Sequence, residues 1–216
     1  ENTLSYLTPC VYGQTISPAE GISFTMTDAG HLLGSASVTI RLTEGDVTKT
    51  IVFSGDIGSP NRPIIRDPQY LTTADYVVME STYGNREHDR VKDYREELAK
   101  IIDDTLSRGG NVVIPSFAVG RTQELLYLLR EIKEQNLVVH HPNFPVYVDS
   151  PLSARATNIY SGDLTGYADE ETVEIIKSGY NPIRFPDLRL CESVEESKLL
   201  NTDGVPKVII SSSGMC

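Results

Sequence analysis

The sequence predicts an α/β protein that changes character near residue 90, from β-hairpins to alternating strands and helices. Three observations carry this. Polar and apolar residues alternate over residues 22–27 and 37–42, the period of half-buried strands. From about residue 91 the apolar residues recur at helical spacing instead. Beyond residue 110, short apolar runs alternate with such helical stretches, the pattern of a mainly parallel sheet flanked by crossover helices.

Taken in order, strands are expected at residues 22–27, 37–42, 50–54 and 76–80, with Glu44-Gly45-Asp46 as the hairpin turn between the second and third. Ser59-Pro60-Asn61-Arg62-Pro63 is a loop, because proline suits neither a central strand nor a helix interior. Val91, Tyr94, Leu98, Ile101 and Ile102 mark a helix that Arg108-Gly109-Gly110 ends. A strand follows at 111–114, then a helix carrying Leu125, Leu128, Leu129 and Ile132. A strand at 144–148 leads to a helix at 152–160. Ser193, with Glu196 three residues on, opens a helix to Asn201, and 207–210 closes as a strand. No internal repeat or low-complexity segment interrupts this order.

The 216 residues suffice for one large domain or two small ones. Their composition, 39% hydrophobic and 23% charged, is that of a globular protein. No apolar run has the length of a membrane span, and no charged-then-apolar leader is present, so no membrane association is expected. Cys10, Cys191 and Cys216 are too few and too widely spaced for a disulfide framework or a zinc knuckle, which suggests a reducing cytoplasm. A net charge of −11 argues against nucleic-acid binding by bulk electrostatics, while leaving room for a local groove of arginines or a bound cation.

Three side chains able to ligate a metal stand at strand ends, in segments that contain glycine. They are His31 in Gly30-His31-Leu32-Leu33-Gly34-Ser35-Ala36, Asp56 in Ser54-Gly55-Asp56-Ile57-Gly58, and Glu80 in Met79-Glu80-Ser81-Thr82-Tyr83-Gly84-Asn85. Strand ends are rigid, glycine permits close backbone approach, and imidazole and carboxylate are donors that zinc accepts. Each motif alone is also an ordinary turn. Together, in this order, they resemble the metallo-β-lactamase fold, and specifically its β-CASP branch of RNA-processing nucleases. The resemblance continues through Ile114-Pro115-Ser116-Phe117-Ala118-Val119-Gly120-Arg121-Thr122-Gln123-Glu124, Asp149-Ser150-Pro151-Leu152-Ser153-Ala154 and Ile209-Ile210-Ser211-Ser212-Ser213-Gly214-Met215.

The resemblance implies a partial αββα metallo-β-lactamase core over residues 1–90 and most of a β-CASP domain over 91–216. It implies that His31 ligates one zinc, that Asp56 bridges two zinc ions, and that Glu80 orients a ligand or assists proton transfer. The implied chemistry is two-metal hydrolysis of RNA phosphodiester bonds by in-line attack at phosphorus. One departure matters. The family's upstream His-x-His-x-Asp-His cluster has no counterpart here, and its histidine motifs beyond the Ser-Gly-Met segment are also missing. With Glu1 rather than methionine at the start, the chain is expected to be a fragment. His31 and Asp56 make two ligands, fewer than the three of a catalytic zinc, so this chain alone is expected to bind zinc weakly or not at all and to be inactive.

The remaining features admit two readings each. Arg121 either helps a helix N-terminus hold a phosphate or pairs with Glu124. Ser212, Ser213 and Gly214 either cradle a phosphate or pack as small residues at a strand end. Phe117 either stacks on a base or fills a core. His140 and His141 read as solvated loop residues, and His88 borders the site without ligating. An incomplete sheet would expose an apolar edge, which makes a homodimer possible. The alternatives to a ribonuclease are a non-catalytic β-CASP-like scaffold that binds active partners, and a hydrolase of the same fold acting on DNA or another ester.

Overall fold

A computed structural model describes residues 2–87 and 93–212, and divides the chain into two compact units, Glu1–Glu87 and His88–Cys216. The first unit opens with a short 3-10 turn, Asn2–Tyr6, and then builds a five-stranded sheet. Its strands are β1 (Thr15–Ala19), β2 (Ile22–Asp28), β3 (Ala36–Glu44), β4 (Val47–Phe53) and β5 (Tyr76–Val78), hydrogen-bonded in that order. β1 to β4 run antiparallel, and β5 joins β4 in parallel. The registers align Phe24, Ile40, Ile51 and Tyr76 in one row across the sheet, and Thr25, Thr39, Val52 and Val77 in the next. Successive residues face opposite sides, so one face is apolar and the other is largely threonine. Gly45, at φ 57, makes the tight β3–β4 turn that Glu44-Gly45-Asp46 predicts.

The second unit alternates α1 (Arg95–Ser107), β6 (Val112–Ser116), α2 (Arg121–Glu134), β7 (Val146–Asp149), α3 (Pro151–Tyr160), α4 (Glu170–Lys177), β8 (Leu188–Cys191), α5 (Val194–Leu199) and β9 (Val208–Ser212). The sheet is wholly parallel in the order β6-β9-β7-β8. The central strands are buried on both faces, which is why Val146, Val148, Val208 and Ile210 read as continuous apolar runs. Ile102 from α1, Leu126, Leu129 and Ile132 from α2, and Ile183 complete the core. The mixed α/β class and the parallel sheet flanked by helices agree with the sequence.

Several elements differ. The fourth expected strand is shorter, ending at Val78 rather than Glu80, because Glu80 turns its backbone N–H to the Ser54 hydroxyl instead of a neighbouring strand. β1 has an edge position that tolerates Pro18, and its proline hid it from the strand pattern. β8 is four residues long and carries Arg189, so it lacks an apolar run. α4 was unexpected, although Asp169 caps it by accepting from the Thr172 amide at 2.7 Å and Glu170 and Glu171 occupy its first turn. The expected start of α1 at Val91 and the residue His88 lie outside the described residues.

Candidate functional site

His31 stands in the loop between β2 and β3, and that loop is held from several directions. Asp28, buried at the end of β2, accepts from the Gly30 amide through Oδ1 at 2.9 Å, a side chain bonding its own backbone two residues on. Its Oδ2 meets Arg66 Nη2 at 3.2 Å, and the guanidinium lies over the Tyr12 ring. The Ser35 hydroxyl accepts from both the His31 and Leu32 amides, at 3.0 and 3.1 Å. Arg62 donates to the His31 carbonyl.

The segment after β4 packs onto this loop closely enough to dictate its glycines. Gly58 donates to the Ala29 carbonyl at 2.8 Å, and a Cβ at Gly58 would lie 1.6 Å from the Gly30 carbonyl oxygen. Gly30 sits at φ 60 with Pro68 against it, where a Cβ would fall 2.5 Å from the proline nitrogen. The glycines beside His31 and Asp56 are therefore there for close approach and a left-handed turn.

These contacts bring His31 Nε2 to 3.9 Å from Asp56 Oδ2, with the Asp56 side chain 75% exposed and that of His31 37%. Glu80 stands behind Asp56. Its Oε1 accepts from the Ile57 amide at 2.7 Å and its Oε2 from the Thr82 hydroxyl at 2.9 Å. The Ile57 amide, then Thr82, hold this carboxyl below the usual carboxylate range, and His31 nearby adds to the effect. Ser54 completes the scaffold by accepting from the Glu80 amide at 3.1 Å, while the Ser37 hydroxyl donates to the Ser54 carbonyl. The three side chains singled out in the sequence thus share one corner of the first unit. The sequence reading missed Asp28, Ser35, Arg62 and Arg66. The Asp-x-Gly pattern of Asp28 and Gly30 is a local turn signal, whereas the arginine contacts come from a loop more than 30 residues away.

A donor pair 3.9 Å apart suits a shared cation, given zinc bonds of about 2.1 Å to nitrogen and oxygen. Among the described residues, however, no group of three or more His, Cys, Asp or Glu could hold a metal ion.

In the second unit Arg121 opens α2, and its guanidinium meets Glu124 at 3.2 Å while remaining 62% exposed. Ser212 ends β9 opposite Ser116, and Ser213 and Gly214 lie outside the described residues. His140 is exposed but not merely solvated. Its Nδ1 lies 2.7 Å from Asp103 Oδ2, and His141 meets the Ser107 hydroxyl. Phe117 corrects the core-packing expectation, being 74% exposed.

Residues 122–216 match the family described as the Beta-Casp domain. The chain carries a Beta-Casp domain. The resemblance read from the motifs is borne out. Among curated relatives, ribonuclease TTHA0252 of Thermus thermophilus is 38% identical over 215 residues, covering 100% of this chain and 47% of that protein. Transcription termination factor FttA of Methanothermobacter thermautotrophicus is 32% identical over 207 residues, covering 94% of the chain and 31% of that protein. FttA of Methanosarcina mazei is 31% identical over 217 residues, with 99% and 33% coverage. The chain therefore spans between 31% and 47% of the length of these relatives. No described helix is long and apolar enough to cross a membrane.

Proposed function

We propose that this chain forms part of a zinc-dependent ribonuclease of the cytoplasm, in which His31 and Asp56 are metal ligands. The observation that carries the reading is the 3.9 Å approach of two metal-capable donors held on loops locked by close backbone contacts. The Beta-Casp domain and a relative named ribonuclease support RNA as the substrate. Two zinc ions, when bound, supply the polarisation of water and the neutralisation of phosphate charge that phosphodiester hydrolysis needs.

The chain's own residues act as follows. Asp28, Ser35 and Arg62 fix the His31 backbone, so that its imidazole presents Nε2 toward Asp56 without searching rotamers of the loop. Glu80 has both oxygens engaged and stays ionised, so it acts by holding the Ile57 amide, and with it the Asp56 turn, rather than as a proton donor. Arg121, on the second unit, and the Ser212-Ser213-Gly214 segment are the proposed contacts to RNA phosphates. A zinc site of three or four ligands needs donors besides His31 and Asp56, and this chain covers 47% of the ribonuclease TTHA0252 sequence.

The test is a chimera in which these 216 residues replace the matching stretch of ribonuclease TTHA0252. The account expects RNA hydrolysis that chelation abolishes and that His31→Ala and Asp56→Ala variants lose. A folded chimera that cleaves RNA equally well with either substitution contradicts it.

A further inference from the structure

We propose that Phe117 is a base-stacking platform for single-stranded RNA, a binding element apart from the metal pair that rests on reading this chain as part of an RNA-acting protein. Five phenylalanines occur in the sequence, and Phe117 is the most exposed among them at 74%, whereas Phe144 is 3% exposed. An apolar ring in water is ordinary on a loose loop. This loop is not loose.

The Phe117 carbonyl accepts from the Thr122 amide at 3.3 Å, from the Thr122 hydroxyl at 2.8 Å and from the Ser116 hydroxyl at 3.4 Å. Thr122 is itself 1% exposed. The loop's far end is fixed by Gln123, which is 0% exposed. Its Oε1 accepts from the Gly120 amide at 2.7 Å, and its Nε2 donates to the Ala118 carbonyl and the Thr157 hydroxyl. Gly120, at φ 83, allows the sharp entry into α2. Buried polar side chains therefore clamp the backbone on both sides of a ring that touches mainly solvent.

A ring on a fixed backbone has only two side-chain torsions to lose on binding, and its flat face accepts any base. Arg121, four residues on, adds an exposed guanidinium suited to a phosphate of the same strand. The overall charge of −11 repels a polyanion, so stacking and one local cation suit this surface better than a broad basic groove.

The absence of tryptophan from the sequence gives a clean reporter. The chain, its Phe117→Trp variant and its Phe117→Ala variant are titrated with a fluorescent uridine oligonucleotide at low salt in EDTA, up to about 100 μM, the weak end of non-specific binding. An abasic strand of equal length serves as the comparison. We expect binding by wild type, a loss of about 5- to 150-fold in Phe117→Ala, and retention in Phe117→Trp. The new tryptophan is expected to be quenched by the uridine strand and not by the abasic one.

Absence of binding by the wild-type chain overturns the inference. So does an unchanged affinity in Phe117→Ala, or equal quenching by the abasic strand, which assigns the ring to another partner such as a protein surface. Because metal is chelated throughout, these outcomes are independent of the zinc-site reading. An inactive chimera with uridine-specific quenching would sink that reading and leave this one standing.

Discussion

Gly58→Ala is the substitution that most severely tests how the His31 loop is held. The new Cβ would lie 1.6 Å from the Gly30 carbonyl oxygen, 2.2 Å from its carbonyl carbon and 2.8 Å from the His31 nitrogen. Unstrained contacts of this kind need about 3.5 Å, so one of the two loops must retreat by roughly 2 Å. Retreat breaks the Gly58 to Ala29 hydrogen bond, worth about 1 kcal/mol, and adds an overpacking cost of about 1–3 kcal/mol, for roughly 2–4 kcal/mol in all. The same movement separates His31 from Asp56. The assay is urea unfolding together with amide exchange in β2 and β3, and Ser59→Ala at the exposed neighbour is the control. A Gly58→Ala chain within about 0.5 kcal/mol of wild type, the range of neutral surface changes, with its His31 resonances unmoved, would refute the close-packing argument.

Gln123→Ala should destabilise the second unit by roughly 2–4 kcal/mol, because it removes a buried amide and leaves the Gly120 N–H and Thr157 hydroxyl without their partner; thermal unfolding measures this, and a change under 0.5 kcal/mol or so counts against it. Glu80 has a folded carboxyl held below its usual value near 4.5, so its stabilising contribution is complete above that pH and fades as pH falls through the depressed value. The stability gap between wild type and Glu80→Gln should accordingly narrow in acid, and a gap independent of pH would contradict the assignment. Burial, with Asp149 and Glu196 nearby, pushes the Cys191 thiol up to about 11, so iodoacetamide at pH 8 should modify Cys10 well before Cys191 by peptide mass mapping. Rapid labelling of Cys191 in the folded chain would be the opposing result.

Periodicity made much of the second unit legible because its central strands are largely apolar and α1, α2 and α3 are ten residues or longer, whereas α4 has only eight. It failed at β8 and β1, where four residues with an arginine, or a strand containing Pro18, give no alternation to detect. His31 and Asp56 were visible because a glycine adjoins each, and Glu80 because the order of the three carries a family pattern. Their supports were not visible, since Arg62 and Arg66 reach the loop across more than 30 residues. Phe117 shows the opposite limit. Pro115, Ala118 and Val119 near it are apolar, which suggests a core, and only the folded structure reveals that the ring is exposed on a backbone held by Thr122 and Gln123.

The central claim is that His31 and Asp56 share a metal ion, and zinc titration of the chain followed by the side-chain nitrogen resonances of its four histidines tests it most directly. With only two donors the affinity should be weak. His31 Nε2 should nevertheless shift with added zinc, and Asp56→Ala should weaken that response by at least about tenfold. Shifts confined to His140 and His141, with His31 silent or indifferent to loss of Asp56, would contradict the account.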